Sequence, residues 1–196
     1  MAVTVEMVKE LRQATQAGVL DCKKALEQAD GDVEQATRIL RKRGVAAAAR
    51  RAGRTAADGR IDAYVHQGSK LASLIEVNCE TDFVARTDEF GALCHDLAMQ
   101  VAAASPRWLS REDVSEDVIE AEKEAYRAEM AGQNKPEHIM ARIIEGKLAK
   151  FYRENCLLEQ VFIKDDTKTI RQLVAEAMAT LGENIVVKRF ARFQIG

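Results

Sequence analysis

Residues 61–79 read IDAYVHQGSKLASLIEVNC, and their alternation points to a sheet. Ile61, Ala63 and Val65 alternate with Asp62, Tyr64 and His66, the period of two that a half-buried strand requires. Gln67-Gly68-Ser69 supplies a turn. Leu71, Ser73, Ile75, Val77 and Cys79 then resume the alternation, which predicts a β-hairpin. A helix follows, with Phe90, Leu93, Leu97, Ala98 and Val101 at the spacing of one helical face, ended by Ser105-Pro106. Far along the chain, Thr169 and Gln172 form a capping-box start. They open a helix carrying Ile170, Leu173, Val174, Ala177, Met178 and Leu181, closed by Gly182. Residues 184–195, rich in Val, Ile and Phe, read as a strand that pairs with the hairpin. The predicted class is α+β, a small antiparallel sheet covered by helices, buried on one face and partly wet on the other.

Upstream of the hairpin the period is helical throughout. Thr4 caps a helix carrying Val5, Val8 and Leu11, broken by Gln16-Ala17-Gly18 on the ground that glycine tolerates a left-handed turn. A second helix runs from Val19-Leu20 to Leu26 and Ala29 and ends at Asp30-Gly31. Asp32 and Gln35 start a third, with Val33, Ala36 and Leu40 on one face, stopping near Gly44. The run AAAARRAGRTAADGR has no large apolar residue and reads as a helical tail entering a linker. The expected division is a three-helix domain over residues 1–52 and an α+β core over 53–196. Leu11, Val19 and Leu20 read either as core or as a docking face, because so small a bundle cannot bury all its apolar residues.

Residues from about 112 to 155 predict two long charged helices. The first aligns Ile119, Glu122, Tyr126 and Met130 and ends at Gly132; Pro136 starts the second. That one aligns Ile139, Ile143, Lys147 and Phe151 beside Met140, Ile144, Leu148 and Tyr152. The short connection makes them an antiparallel helical hairpin inserted in the core domain.

Composition narrows the function. A formal charge of -2 over 196 residues argues against a protein wholly devoted to nucleic acid. No apolar run reaches the roughly 20 residues that span a bilayer. The first residues, with Glu6 and Glu10, contain no apolar signal core, so a cytoplasmic protein is expected. Cys22, Cys79, Cys94 and Cys156 lack paired spacing and read as reduced thiols. There is no phosphate-binding glycine loop, no G-x-S-x-G and no metal-ligand spacing, so neither catalysis of bond change nor a cofactor is expected. Arg41-Lys42-Arg43, Arg50-Arg51 and Arg54 include no aromatic residue to stack on a base, and read as a solvated helix tail. The stretch from Asn78 to Arg86 lies where a strand gives way to a helix, a junction that suits a binding site. On composition alone Phe83 there reads as a core aromatic and Asp82 as a helix cap.

Three motifs together resemble the bacterial elongation factor Ts family, and the resemblance covers essentially the whole chain. They are Leu11-Arg12 with Thr15 to Gly18 and Asp21-Cys22-Lys23-Lys24-Ala25-Leu26; Glu76 to Ala85; and Gly182-Glu183-Asn184-Ile185 with Arg189-Phe190. The family pattern has Gly where Gln16 stands and methionines where Val19 and Leu20 stand. The chain resembles the short form, with one copy of the core unit. The resemblance implies a ubiquitin-associated-type N-terminal domain, docking through Leu11, Val19 and Leu20. It implies elongation factor Tu as partner, a homodimer, no membrane and no direct nucleic acid contact. It also implies that Thr81, Asp82, Phe83 and Val84 form a wedge against the GTPase beside its magnesium ion. GDP release would follow, with no bond made or broken by this chain.

Overall fold

The structure is a computed structural model that describes residues 3–15, 17–130 and 136–196. Gln16 of the first predicted turn and Gly132 of the predicted hairpin tip lie outside the described residues. The chain forms two compact units, each assembled from separate segments. One comprises Met1–Asp62, Glu76–Cys94 and Gln172–Lys188; the other comprises Ala63–Ile75, His95–Arg171 and Arg189–Gly196.

In the first unit, three helices open the chain: α1 (Val5–Thr15), α2 (Val19–Gln28) and α3 (Val33–Arg51). The Thr4 hydroxyl accepts the Met7 N–H at 3.3 Å, and the Asp32 carboxylate accepts the Gln35 N–H at 2.9 Å. Each satisfies an amide that the first turn of its helix leaves without a partner. Leu11, Cys22, Ala25, Leu26, Ala29, Ala36 and Leu40 form the bundle's core. Leu11 is fully buried there, which removes it from the expected docking face. The turn before α2 does not use glycine's special freedom, since Gly18 has an ordinary φ of -59°. The left-handed residues are Asp30 and Gly31, between α2 and α3. α3 does not stop near Gly44. One glycine costs a helix about 1 kcal/mol, and the alanine-rich run that follows is made of the best helix former. The helix therefore continues to Arg51.

The sheet has three strands, β1 (Asp58–Val65), β2 (Leu71–Cys79) and, late in the chain, β5 (Val186–Gln194), in the order β1-β2-β5. β2 alternates as expected: Ser73, Ile75, Val77 and Cys79 are buried and Leu74 is exposed. In β1 the apolar series is the outer one, because Ile61 and Val65 are exposed while Asp62 and Tyr64 are half-buried. A one-turn helix, α4 (Asp82–Ala85), follows β2 and leads into α5 (Asp88–Ala104). Phe90, Leu93, Leu97, Ala98 and Val101 are all buried on α5. The Ser73 hydroxyl donates to the Ala98 carbonyl at 2.6 Å, which seats α5 against the inner side of β2.

In the second unit, α6 (Glu116–Glu129) and α7 (Glu137–Asn155) run antiparallel. Lys147 pairs with the Glu129 carboxylate, and its ammonium lies 5.1 Å from the centre of the Tyr126 ring. At the base of this hairpin, Val114, Phe151 and Cys156 pack with Trp108, Val118, Ile119 and Tyr152. Glu159 lies between Arg111 and Arg171. Burial pulls its pKa upward, and the two guanidiniums outweigh that and hold it below the ordinary glutamate value.

A second small sheet, β3 (Val161–Phe162) with β4 (Asp165–Thr169), stands where the sequence shows only an apolar patch and a charged turn. The sequence Asp-Asp-Thr-Lys-Thr has little strand character. What holds the strand edge is Gln100, fully buried on α5. Its amide donates to the Val161 carbonyl at 3.1 Å and accepts the Ile163 N–H at 2.9 Å. Gln160, also buried, receives a further bond from Gln100 and donates to the Ala104 and Glu154 carbonyls. α8 (Ile170–Leu181) follows directly.

Gly59 opens β1 with a φ of +152°, and a Cβ there would sit 2.3 Å from the Val77 carbonyl oxygen. Gly68, in the hairpin turn, also has positive φ but faces open space. Gly68→Ala should therefore cost about 1–2 kcal/mol, the left-handed penalty alone. Gly59→Ala should cost more than about 2 kcal/mol, because the backbone of β2 must also move. Urea titration of the two variants compares them directly, and an equal cost would show that the β1–β2 approach is not strained by a side chain.

Candidate functional site

The junction after β2 is built from the backbone outward. Thr81 is the N-cap of α4, in extended conformation, and its hydroxyl oxygen accepts the Val84 N–H at 3.4 Å. The cap is thus Thr81 and not Asp82, which is the first helical residue. Thr87 closes the turn: its hydroxyl donates to the Val84 carbonyl at 2.8 Å and accepts the Phe90 N–H at 3.2 Å. Ala85 and Phe90 are buried below this turn.

Phe83 points the other way and is 82% exposed, the highest value among the large apolar side chains of the described residues. The composition-based reading of a core aromatic therefore fails: a one-turn helix presents only one side to the body, and Ala85 occupies it. Asp82 pairs with Arg86 one turn on, at 2.8 Å, and both remain substantially exposed. Val84 is half-buried.

A second segment of the same unit holds this turn from behind. Glu183 accepts the N–H groups of Glu80 and Thr81 at 3.0 and 3.1 Å, and the Thr81 hydroxyl donates to it at 2.6 Å. In the other direction, Glu80 accepts the Asn184 N–H at 2.6 Å and lies 3.4 Å from an Arg54 nitrogen. The Asn184 amide donates to the Arg54 carbonyl at 2.7 Å. The Gly182-Glu183-Asn184-Ile185 motif stands out in the sequence without a role. The legible signal was a carboxylate directly after a helix-ending glycine; its distant partner was not legible.

Cys79 ends β2 beside this network, and its thiol donates to the Thr81 carbonyl at 3.2 Å. Burial, and then the Glu183 carboxylate, push its pKa up to about 11, so it is a protonated thiol at neutral pH. Cys22, Cys94 and Cys156 are likewise free and buried. Among the described residues no group of three or more His, Cys, Asp or Glu could hold a metal ion. No helix among them is long and apolar enough to cross a membrane.

The expected docking residues separate. Leu11 is core, whereas Val19 and Leu20, the first residues of α2, are 50% and 72% exposed. Members of the basic stretch have intramolecular partners: Arg41 with Glu176, Arg43 with Gln28 and Arg54 with Glu80.

The family model described as Elongation factor TS matches residues 2–196. Curated relatives with the name Elongation factor Ts align along nearly the whole chain. The protein of Thermotoga neapolitana is 54% identical over 196 residues, covering 100% of this chain and 98% of its own length. That of Thermosipho melanesiensis is 54% identical over 194 residues, with 99% of each chain covered. That of Caldanaerobacter subterraneus subsp. tengcongensis is 53% identical, covering 99% of this chain and 97% of its own.

Phe83→Ala should cost less than about 1 kcal/mol of folding stability, as expected for a surface site. Phe90→Ala, at a fully buried ring, should cost about 3–5 kcal/mol. Denaturant titration resolves a gap of that size, and equal losses would place Phe83 in a core after all.

Proposed function

The chain belongs to the elongation factor Ts family, and on that premise we propose that it is a cytoplasmic guanine nucleotide exchange factor for elongation factor Tu in translation elongation. The observation that carries the mechanism is the exposed ring of Phe83 on a turn whose backbone is tied at both ends. Fully burying a phenylalanine side chain is worth about 1.5–3 kcal/mol. Left in water on a fixed support, that free energy becomes available when a partner covers the ring.

In this reading Thr81, Asp82, Phe83 and Val84 press against the helices beside the GTPase's bound magnesium ion. Magnesium neutralises phosphate charge, so disturbing its support weakens GDP. Val19 and Leu20 dock the N-terminal three-helix domain, of ubiquitin-associated type, on another face of the same partner. Exchange follows from linkage. A partner that prefers the nucleotide-free GTPase must lower its affinity for nucleotide, and nucleotide lowers affinity for the partner by the same factor. This chain changes no covalent bond and needs no cofactor.

The chain also acts as a homodimer in this reading. Val65, Leu74, Phe193 and Ile195 are exposed apolar residues on or beside the strands of the core. A second copy is the partner that covers such a surface with its own equivalent, as a two-fold interface requires.

Release of a fluorescent GDP analogue from elongation factor Tu tests the function. At saturating factor, Phe83→Ala should slow release by about tenfold or more, since each 1.36 kcal/mol of lost transition-state stabilisation is a factor of ten. Asp82→Ala should act in the same direction, and added magnesium should oppose the wild-type protein. A folded Phe83→Ala protein with undiminished exchange moves the site elsewhere. Sedimentation at about 20 µM should give twice the chain mass, and Phe193→Glu should shift it toward the monomer by mass action. A wild-type monomer at that concentration rejects the dimer.

A further inference from the structure

Glu183 follows Gly182, whose φ of +78° ends α8 and turns the chain back toward the end of β2. Its carboxylate takes three donors from two consecutive residues. Oε2 accepts the Glu80 and Thr81 N–H groups, and Oε1 accepts the Thr81 hydroxyl. A hydroxyl has one proton. With that proton committed to Glu183 at 2.6 Å, the Thr81 oxygen is left as the acceptor that caps Val84, and so it opens α4. One carboxylate therefore sets the direction of the backbone entering α4 and the rotamer of its cap. Phe83 stands on that turn with its ring 82% exposed.

We propose that Glu183 is the positioning residue of the exchange site: it touches no nucleotide or metal and acts by holding the turn that presents Phe83. The proposal rests on the wedge reading above. The two N–H contacts require an acceptor, the hydroxyl proton takes a second one, and a carboxylate accepts at both oxygens. Glutamine has the same length, but its oxygen can serve only the two N–H groups, and its NH2 then faces the Thr81 hydroxyl, which loses both the charge and the acceptor for its proton. Aspartate keeps the charge but is one methylene shorter. A turn that is loosened but still folded can bind the partner while presenting the ring in the wrong place. Misplacement of about 1 Å is enough to cost a large factor in rate without a matching loss of affinity.

The test is GDP release from elongation factor Tu measured across factor concentrations, with a melting curve for each variant. Glu183→Gln should lower the maximal rate by about tenfold, on the scale of lost charge-assisted bonds, with half-saturation changed less than about twofold. Thr81→Val, which keeps the shape but removes the hydroxyl, should do the same. Placed on Phe83→Ala, Glu183→Gln should cost less than about a further twofold, because residues acting through one group are not additive. A full-rate Glu183→Gln protein overturns the proposal, as does a full additional loss on Phe83→Ala. Should Glu183→Gln fail to fold, Thr81→Val decides, and a wild-type rate for it overturns the proposal. If Phe83→Ala itself exchanges at the wild-type rate, the wedge reading fails; if it is slow and Glu183→Gln is not, only the positioning role fails.

Discussion

Glu80 and Glu183, 103 positions apart, exchange partners: each side chain accepts backbone amide protons from the other's segment. Closing so long a loop costs conformational entropy, which grows only slowly with length, so a few well-aligned bonds suffice once the strands themselves pair. The exchange joins the end of β2 to the start of β5 and leaves no amide without an acceptor at residues 80, 81 and 184. Everything at the exposed end of this unit depends on it. α4 begins where Thr81 is held, and Asn184 reaches Arg54 from the same clamp.

The two units use different means to the same end. In the first, the bundle core is apolar and small, with cysteine and alanine filling the space between Leu11, Leu26 and Leu40. Within it the Cys22 thiol donates to the Ala17 carbonyl, and the capping bonds of Thr4 and Asp32 add local definition at the helix starts. In the second, two buried glutamines do the specifying. Gln100 and Gln160 bond to one another and to backbone groups of four other residues. A buried amide is costly unless satisfied, so these contacts exclude other registers of the short β3–β4 pair.

Exposed apolar surface in this protein is concentrated at places with firm backbone support. Phe83 sits on a capped turn, Val19 and Leu20 on the first turn of a packed helix, and Val65, Leu74 and Phe193 on strands. A free protein gains nothing from such exposure. It matters when another surface arrives, because little ordering entropy remains to be lost on contact. This is why a polar environment around Asp82 and Arg86 can coexist with an uncovered phenylalanine beside them.

Three N-terminal helices, a hairpin, a long amphipathic helix, a helical pair and a final strand are legible from periods of 3.6 and 2 and from capping residues. The sequence also marked residues 76–85 as unusual. It could not decide exposure. Leu11 and Leu20 are the same residue type on adjoining helices, yet one is core and the other is in solvent; Phe83 and Phe90 differ in the same way. Exposure depends on which distant segments come to cover a side chain, and no local pattern encodes that. The same reason hid β4, whose polar residues pair with a strand that Gln100 holds from α5, and hid Glu183, whose three donors lie over a hundred positions earlier in the chain.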